Sequence, residues 1–347
     1  MGAHARPNRI HRAGVRIATV ALVGAAMPLT AAGLAQAATV THSVDDTDQQ
    51  AGSTTTADQG TQTQTAQAKQ AAVNNQAAAD SQDQAGPEIN ATHAFLLDAR
   101  DGSQEREMWA GSQADDSVPM ASTTKIMTAL VVLKHPEWLN RQIQVKQAYR
   151  DYVQAAGGST ADLQTGDTLT AEQLLHAMLL PSGADAAMAL ADSFGNGDTQ
   201  DARIADFVNQ MNEEARQLNL TGTHYDTFDG ISHGNNHSTA RDLAKLGQRA
   251  MLQPKFADIV GETQYKTEAP AANGHTRYYT WTNTNDLLTT YDGALGVKTG
   301  SGPEDGYCLV FAAKRDNRTL VGAILADPDA KTRLSDATKM LDWGFAH

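Results

Sequence analysis

Large apolar side chains are unevenly spread along the chain, and their spacing changes from one segment to the next. From about residue 89 onward, strand-like runs and helix-like repeats alternate, whereas the preceding stretch of about fifty residues has hardly any large apolar side chain. Such a stretch cannot bury enough surface to offset its chain entropy. The pattern therefore predicts a folded domain at residues 89–347 and a disordered linker, rich in Ala, Gln, Thr and Asp, at residues 38–88.

Apolar residues at helical spacing predict four helices in the first half of the folded part and one helix at its end. The predicted helices are Ser122–Leu133, Ala171–Leu180, Ala184–Phe194, a segment from about Ile204 to Leu218, and Lys331–Phe345. Pro136 and Pro181 follow the first two of these helices, where a proline ends a helix.

Short apolar runs bounded by turn residues predict the strands. The predicted strands are Ala94–Asp98, Glu107–Ala110, Ala294–Lys298, Tyr307–Lys314 and Thr319–Ala326, the first two joined at Asp101-Gly102. Strands at both ends with helices between them predict an α+β fold, in which helices cover an antiparallel β-sheet and an all-helical insertion forms a second lobe. The functional residues should lie where the two lobes meet.

Residues 1–37 have the three parts of a secretory signal peptide. Four arginines precede the apolar stretch Ile17–Leu34, and Ala35-Gln36-Ala37 provides an A-x-A cleavage site. The alternative is an uncleaved signal that stays in the membrane as an anchor. Both interpretations predict a protein exported to the extracellular, cell-wall side of the membrane.

Charge and cysteine content exclude two classes of protein. The formal net charge is -13, and it becomes more negative once the arginines of the signal are removed, so the chain is a poor nucleic-acid binder. Cys308 is the only cysteine, which excludes an intrachain disulfide. Because Cys308 lies in an apolar run, we predict a buried structural role for it.

The first candidate for chemistry is the pair Ser122 and Lys125, which forms the only S-x-x-K motif in the chain. Residues three apart share a helix face, so the amine can reach the hydroxyl. A serine nucleophile needs a base, and a lysine can be that base if desolvation, the helix dipole or a nearby cation such as Lys298 depresses its pKa. Alone the motif is weak, because a helix-capping serine with a solvated lysine explains it equally well.

The second candidate is Lys298-Thr299-Gly300, which ends an apolar strand and is followed by Ser301. An ammonium and a hydroxyl at a strand edge can hold a carboxylate, and the glycine lets a substrate backbone lie against the strand. S-x-x-K followed by K-T-G is the signature shared by penicillin-binding proteins and class A β-lactamases.

With these motifs, the sequence resembles the low-molecular-mass serine D-alanyl-D-alanine carboxypeptidases of peptidase family S11, from about residue 89 to the last residue. The matching segments are Ala121–Lys125, Leu179–Gly183, Asp185–Ala187, Ser238–Leu243, Asn283–Leu288, Gly296–Gly300 and Gly306–Cys308. The resemblance implies a penicillin-binding enzyme that removes the terminal D-alanine from peptidoglycan stem peptides ending in D-Ala-D-Ala. It implies no cofactor and no metal, and β-lactams as inhibitors.

The resemblance also implies a role for each matching residue. Ser122 would be the nucleophile, Lys125 its base, and Ser182 the group that protonates the departing D-alanine. The substrate-binding residues would be Lys298, Thr299, Gly300 and Ser301. Of these, Lys298 and Thr299 would hold the terminal carboxylate, and the main-chain N–H groups of Ser122 and Ser301 would form the oxyanion hole.

One position departs from the family pattern. Where the family usually has S-x-N, this chain has Ser182-Gly183-Ala184, so the side-chain amide that should contact the substrate and the catalytic lysine is missing. Loss of one such hydrogen bond commonly costs about 2 to 4 kcal/mol of transition-state stabilisation. We therefore expect a slower enzyme, or a protein that mainly binds penicillin or the cell wall.

Three other functions have to be weighed. A class A β-lactamase needs a glutamate that activates the deacylating water, for which Glu214 is the candidate, although a solvated position on an amphipathic helix explains Glu214 as well. An endopeptidase would use the same residues on cross-linked peptides. A zinc site is disfavoured because His224, His233 and His237 lack helical ligand spacing.

Overall fold

The structure is a computed structural model that describes residues 86–100, 104–231 and 234–347. The predicted signal peptide, residues 38–85 of the predicted linker, and the predicted turn at Asp101-Gly102 lie outside the described residues. The elements below belong to the described part of the chain.

The strands and helices alternate in blocks along the chain. The strands are β1 (His93–Arg100), β2 (Gln104–Ala110), β3 (Val118–Pro119), β4 (Gln142–Gln144), β5 (Thr168–Thr170), β6 (His237–Ser238), β7 (Gln264–Pro270), β8 (Thr276–Thr282), β9 (Ala294–Gly302), β10 (Gly306–Arg315) and β11 (Arg318–Asp327). The helices are α1 (Lys125–Leu133), α2 (Gln147–Ala156), α3 (Ala171–Leu179), α4 (Ala184–Phe194), α5 (Gln200–Gln217), α6 (Ala240–Met251), α7 (Pro254–Gly261), α8 (Leu287–Thr290) and α9 (Ala330–Ala346). Short 3-10 turns cover Ala121–Thr124 and Pro136–Trp138.

Five strands form one antiparallel sheet in the order β2-β1-β11-β10-β9. Because side chains alternate across a strand, β10 contributes to two cores. Val310 and Ala312 belong to the core shared with the helical lobe, whereas Leu309 and Phe311 pack with Met340 and other residues of α9. The predicted α+β architecture, an antiparallel sheet covered by helices, is confirmed.

Helix α6 was not predicted, although its buried residues Leu243, Leu246 and Ala250 have helical spacing. Gly247 lies inside the helix, where glycine lowers helix propensity. A Cβ at Gly247 would lie 2.6 Å from Cγ1 of Val310 on β10. The glycine therefore lets α6 approach the sheet closely, a gain that only tertiary packing reveals.

The helical lobe contains α1 to α5, with the hairpin β7–β8 beside it, while α7 packs mainly against β9 of the sheet. Helix α4 has the predicted bounds, and α3 begins where predicted and ends one residue earlier, at Leu179. Helix α3 starts with a capping box between Thr170 and Gln173. Helix α2 and the β7–β8 hairpin were not predicted, because only Tyr149 and Val153 are buried in α2 and the hairpin side chains are mostly polar. None of the described helices is long and apolar enough to cross a membrane.

The start of α1 lies against β9, where the sheet meets the helical lobe. A Cβ on Gly300 of β9 would lie 3.0 Å from the main-chain nitrogen of Ser122, which shows how close the strand comes to the helix. The opposite side of the same turn is equally tight, since a Cβ on Gly230 would lie 1.9 Å from the carbonyl oxygen of Ala121. Gly230 also has a φ of +90°, which glycine adopts without strain.

Candidate active site

Ser122 and Lys125 meet as the S-x-x-K spacing predicts. Ser122 lies in the 3-10 turn Ala121–Thr124, and α1 begins at Lys125, so the serine stands just before the α-helix and not in its first turn as expected. Lys125 Nζ lies 2.8 Å from Ser122 Oγ and donates a hydrogen bond to it. Ala121, directly before the serine, has a φ of +47°, an uncommon conformation for a residue with a side chain.

Lys125 is almost completely buried, with 1% of its surface exposed. Its Nζ also donates to the main-chain carbonyl oxygen of Asp229 at 2.7 Å. Burial lowers the pKa of Lys125 to about 8, while the negative charges of Asp229 and, to a smaller extent, Asp185 oppose that shift. A pKa this low leaves a useful fraction of neutral amine near neutral pH.

On the other side of Ser122, β9 presents the K-T-G residues. Lys298 is also 1% exposed, and its Nζ donates to the main-chain oxygen of Thr299 at 2.9 Å. Thr299 Oγ1 lies 2.6 Å from Oγ1 of Thr284. Burial, and then the positive charges of Lys125 and Arg333, lower the pKa of Lys298 well below its ordinary value. The sequence analysis expected that a nearby cation could lower the pKa of Lys125. In the structure burial lowers the pKa of Lys125, and it is the pKa of Lys298 that neighbouring cations lower.

Two cavities flank Ser122. The smaller cavity has a volume of about 160 Å³. Five of the predicted site residues line it, namely Ser122, Ser182, Thr299, Gly300 and Ser301. The larger, about 470 Å³, adjoins Lys125 and the acidic pair Glu304 and Asp305. The structure thus brings the predicted site residues together around one serine, with a small and a large space on its two sides.

Ser182 lies between α3 and α4, and it is buried with 5% of its surface exposed. Its φ is +66°, so a non-glycine residue again adopts a left-handed conformation beside the cavity. Its Oγ has no hydrogen-bond partner among the described atoms. Ala184 begins α4 and is fully buried, with no side-chain amide to offer.

Arg333, which the sequence analysis missed, lines the small cavity from α9. Its Nη1 donates to the carbonyl oxygen of Cys308 at 3.1 Å and lies 3.4 Å from that of Gly300. A signal was present, because Arg333 shares the buried face of α9 with Ala337 and Met340. A buried cation is uncommon, so Arg333 on this face, which also carries the buried Asp336, indicates a specific task for that residue.

Cys308 is buried, as predicted, and burial raises the pKa of its thiol to about 12. His224 and His237 form an antiparallel bridge through their main chains, while His233 lies outside the described residues. Across the described ranges, no three histidine, cysteine, aspartate or glutamate side chains are grouped as metal ligands would be.

The fold and this site define a class of protein. An antiparallel sheet with a helical lobe, S-x-x-K at the start of the helix between them, and K-T-G on the facing strand is the arrangement of penicillin-binding proteins and class A β-lactamases.

Comparison with known proteins decides between these two groups. The family model for D-alanyl-D-alanine carboxypeptidase matches residues 76–329, and the chain belongs to this family. The predicted membership in the serine D-alanyl-D-alanine carboxypeptidases is therefore confirmed.

Individual relatives are similar over most of their length. A D-alanyl-D-alanine carboxypeptidase of Streptomyces sp. (strain K15) is 47% identical over 235 residues, which are 67% of this chain and 81% of that protein. The enzyme DacB2 of Mycobacterium tuberculosis, also named a D-alanyl-D-alanine carboxypeptidase, is 35% identical over 69% of this chain and 78% of its own length. The crystal structure of the Streptomyces K15 DD-transpeptidase superposes with a TM-score of 0.73 at 44% identity, covering 76% of this chain and 100% of that one.

Proposed function

We propose that this chain is an exported serine DD-carboxypeptidase that removes the terminal D-alanine of peptidoglycan stem peptides through an acyl-enzyme on Ser122. The observation that carries the proposal is the 2.8 Å hydrogen bond from the buried amine of Lys125 to the hydroxyl of Ser122. Catalysis is assigned to residues 89–347.

Acylation begins at Ser122. Its Oγ attacks the carbonyl carbon between the two D-alanines, and the neutral amine of Lys125 accepts the hydroxyl proton. The main-chain N–H groups of Ser122 and Ser301 receive the negative charge that develops on the carbonyl oxygen. Gly300 of β9 lies close to the main-chain nitrogen of Ser122, which supports an oxyanion hole formed by the N–H groups of Ser122 and the next residue of the strand, Ser301.

The small cavity is suited to the departing D-alanine. Thr299 and Arg333 line this cavity, and Lys298 is buried next to Thr299. Lys298 and Thr299 hold the carboxylate, and Arg333 adds a second positive charge beside it. Ser182 relays the proton that Lys125 took from Ser122 to the leaving amine, so that its own hydroxyl is restored. Its buried hydroxyl, which has no partner among the described atoms, supports this task. Water then hydrolyses the acyl-enzyme.

The sizes of the two cavities favour a carboxypeptidase over an endopeptidase. A leaving group in the cavity of about 160 Å³ has to be small and anionic, as a single D-alanine is. The cavity of about 470 Å³ leaves room for the longer acyl part of the stem peptide. Cross-linked peptides would instead place a bulky leaving group in the smaller space.

Transpeptidation is a second candidate, because the Streptomyces K15 relative is called a carboxypeptidase under one name and a DD-transpeptidase under another. Both reactions share the acyl-enzyme and differ only in whether water or an amine attacks it. An added acceptor amine distinguishes them by the mass of the product.

The class A β-lactamase alternative depends on Glu214. Glu214 is ion-paired with Lys134, just beyond the C-terminal end of α1. Lys134 follows Lys125 by nine residues, about 13 Å along the axis at the rise of an α-helix. Glu214 lines a cavity that does not include Ser122, so this position argues against a role in activating a deacylating water.

The test is release of free D-alanine from a stem peptide ending in D-Ala-D-Ala, with and without a β-lactam and an acceptor amine. Release that is lost in Ser122→Ala and blocked by the drug supports the carboxypeptidase. Labelling of Ser122 by penicillin without release of D-alanine would leave a penicillin binder, and rapid loss of the label would indicate a β-lactamase.

Export is part of the same proposal and rests on the signal sequence. Cleavage after Ala37 would give a mature chain that begins at Ala38, with residues 38–88 as a linker to the catalytic domain. The mass of the chain recovered from outside expressing cells tests this, since an uncleaved anchor would retain the first 37 residues in the membrane fraction.

A further inference from the structure

The amine of Lys125 is hydrogen-bonded to a main-chain carbonyl group, and not to the asparagine side chain that the family pattern predicts. The family expects an asparagine amide beside the catalytic lysine, and this chain has the buried Ala184 instead. Ser182 Oγ makes no hydrogen bond to a described atom, so the S-x-N segment provides no observed anchor for the lysine. Besides Ser122 Oγ, the hydrogen-bond acceptor that Lys125 Nζ contacts is the carbonyl oxygen of Asp229, at 2.7 Å.

Asp229 is itself firmly fixed. It is fully buried, and both of its carboxylate oxygens accept hydrogen bonds. The main-chain N–H of Ile231 donates to Oδ1 at 3.0 Å, and the hydroxyl of Tyr152 donates to Oδ2 at 2.9 Å. Burial raises the pKa of Asp229, whereas the charge of Lys125 and the hydrogen bonds from Ile231 and Tyr152 oppose that shift and favour the ionised form.

Tyr152 connects Asp229 to the opposite wall of the cleft. It belongs to α2, and the residues just after this helix, Gly157–Ser159, line the larger cavity. The ring of Tyr152 packs against Phe228, with 5.5 Å between ring centroids. Burial raises the pKa of Tyr152, so its hydroxyl stays protonated and can donate.

We propose that Asp229, fixed by Tyr152, is the positioning residue for Lys125 and replaces the side-chain amide that position 184 lacks. This inference rests on the proposed role of Lys125 as the base. The carbonyl of Asp229 directs the amine toward Ser122, and the carboxylate supplies the nearest compensating charge.

The charges around Lys125 make the inference testable by pH. Asp229 faces the amine from the loop after α5, Asp185 from α4, and Lys298 from β9. Glu304 and Asp305 line the same cavity as Lys125. Of the two acids that raise the pKa of Lys125, Asp229 has the larger effect, so removing its charge should lower the pKa of the base more than removing that of Asp185.

The first experiment measures the rate of Ser122 acylation by a fluorescent penicillin between pH 5 and 9. Asp229→Asn keeps the shape of the side chain and removes its charge. We expect the acid limb of the profile to move about one pH unit lower, the size of shift that a nearby opposite charge causes. A purely structural role would lower the plateau and leave the limb in place.

The second experiment uses a matched pair on one helix. Tyr152 and Tyr149 both lie on α2, and each donates its hydroxyl to a buried aspartate, Asp229 and Asp192 respectively. Tyr152→Phe should slow acylation about tenfold, the effect of losing a hydrogen bond to a charged group. Tyr149→Phe should change it less than about twofold, because Asp192 lines a different cavity.

A third variant supplies the missing amide. Ala184→Asn in the Tyr152→Phe protein should recover most of the lost acylation rate, whereas in the Tyr149→Phe protein it should have no such effect. Thermal unfolding checks that every variant is folded, and the tyrosine pair alone decides if Ala184→Asn does not fold.

The outcomes separate two failures. Equal slowing by Tyr152→Phe and Tyr149→Phe, or an unmoved acid limb in Asp229→Asn, would overturn the positioning role while the unaltered chain still reacts with penicillin. If the unaltered chain is not labelled at any pH, the proposed function itself is wrong, and the positioning role is wrong with it.

Discussion

The helix side and the strand side of the cleft each contain a buried lysine, and the two lysines have opposite surroundings. Lys125 on α1 is hydrogen-bonded to a serine and lies near the acids Asp229 and Asp185. Lys298 on β9 is equally buried, but the charges that act on it most, Lys125 and Arg333, are positive. A lysine with a hydroxyl partner is suited to move a proton, whereas one surrounded by cations is suited to bind an anion.

The difference shows that burial alone does not define a role for a lysine. Burial is the largest cause of the lowered pKa in both cases. What differs is the set of neighbours, and those neighbours come from segments distant in sequence. If the comparison is correct, substitution of the two lysines should affect different steps of the reaction.

The largest effect is expected on the helix side. Lys125→Met keeps the length of the side chain and removes the amine, so acylation of Ser122 by penicillin should slow by about 10³-fold, within the range for a general base. Lys134→Met, at the other end of the same helix, is the control and should react normally. A Lys125→Met protein that is acylated at the normal rate would show that another group takes the serine proton.

On the strand side the effect should depend on the substrate. Lys298→Met should lower kcat/KM for a peptide with a free terminal carboxylate by about 100-fold, the cost of removing one partner of a buried charge pair. For the same peptide with a terminal amide, the variant and the unaltered chain should be similar. Lys314→Met, an exposed lysine on the neighbouring strand, is the control. An equal loss with both peptides would contradict a carboxylate-binding role.

The two lysines should also produce the two limbs of the pH profile. Lys125 must be neutral to accept a proton, and with its pKa at about 8 the reactive fraction falls tenfold for each pH unit below that value. Lys298 must be charged to bind a carboxylate. Because its pKa is lowered, it should lose its charge as pH rises, and carboxylate binding should weaken before the pH reaches the ordinary pKa of a lysine. Acylation rates and KM measured from pH 6 to 10 check this, and an acylation rate that is flat from pH 6 to 9 would contradict the assignment of Lys125.

The lysines and the architecture could be predicted from sequence because their signals are local. Ser122 and Lys125 are three residues apart, and Lys298 lies in a continuous motif at a strand end. Asp229 and Arg333 escaped prediction because each reaches the site only through tertiary packing, Asp229 through a loop and Arg333 from the terminal helix. Residue types alone do not indicate which distant acid or cation will share a cavity.

One buried acid near the strand side offers a smaller test of how burial and neighbouring charges set a pKa there. Asp327 at the end of β11 is buried, and neither carboxylate oxygen has a hydrogen-bond partner among the described atoms. Burial, and then the charges of Asp336 and Asp329, raise its pKa to about 6, which is above the unfolded value. The folded state therefore holds the proton more tightly, and ionisation of Asp327 destabilises the fold as pH rises toward 6.

Asp327→Asn should raise Tm by about 3 °C above pH 6, with the increase in Tm growing between pH 4 and 6 and constant at higher pH. A lower Tm for Asp327→Asn at pH 8 would mean that Arg333 needs this carboxylate as its counterion.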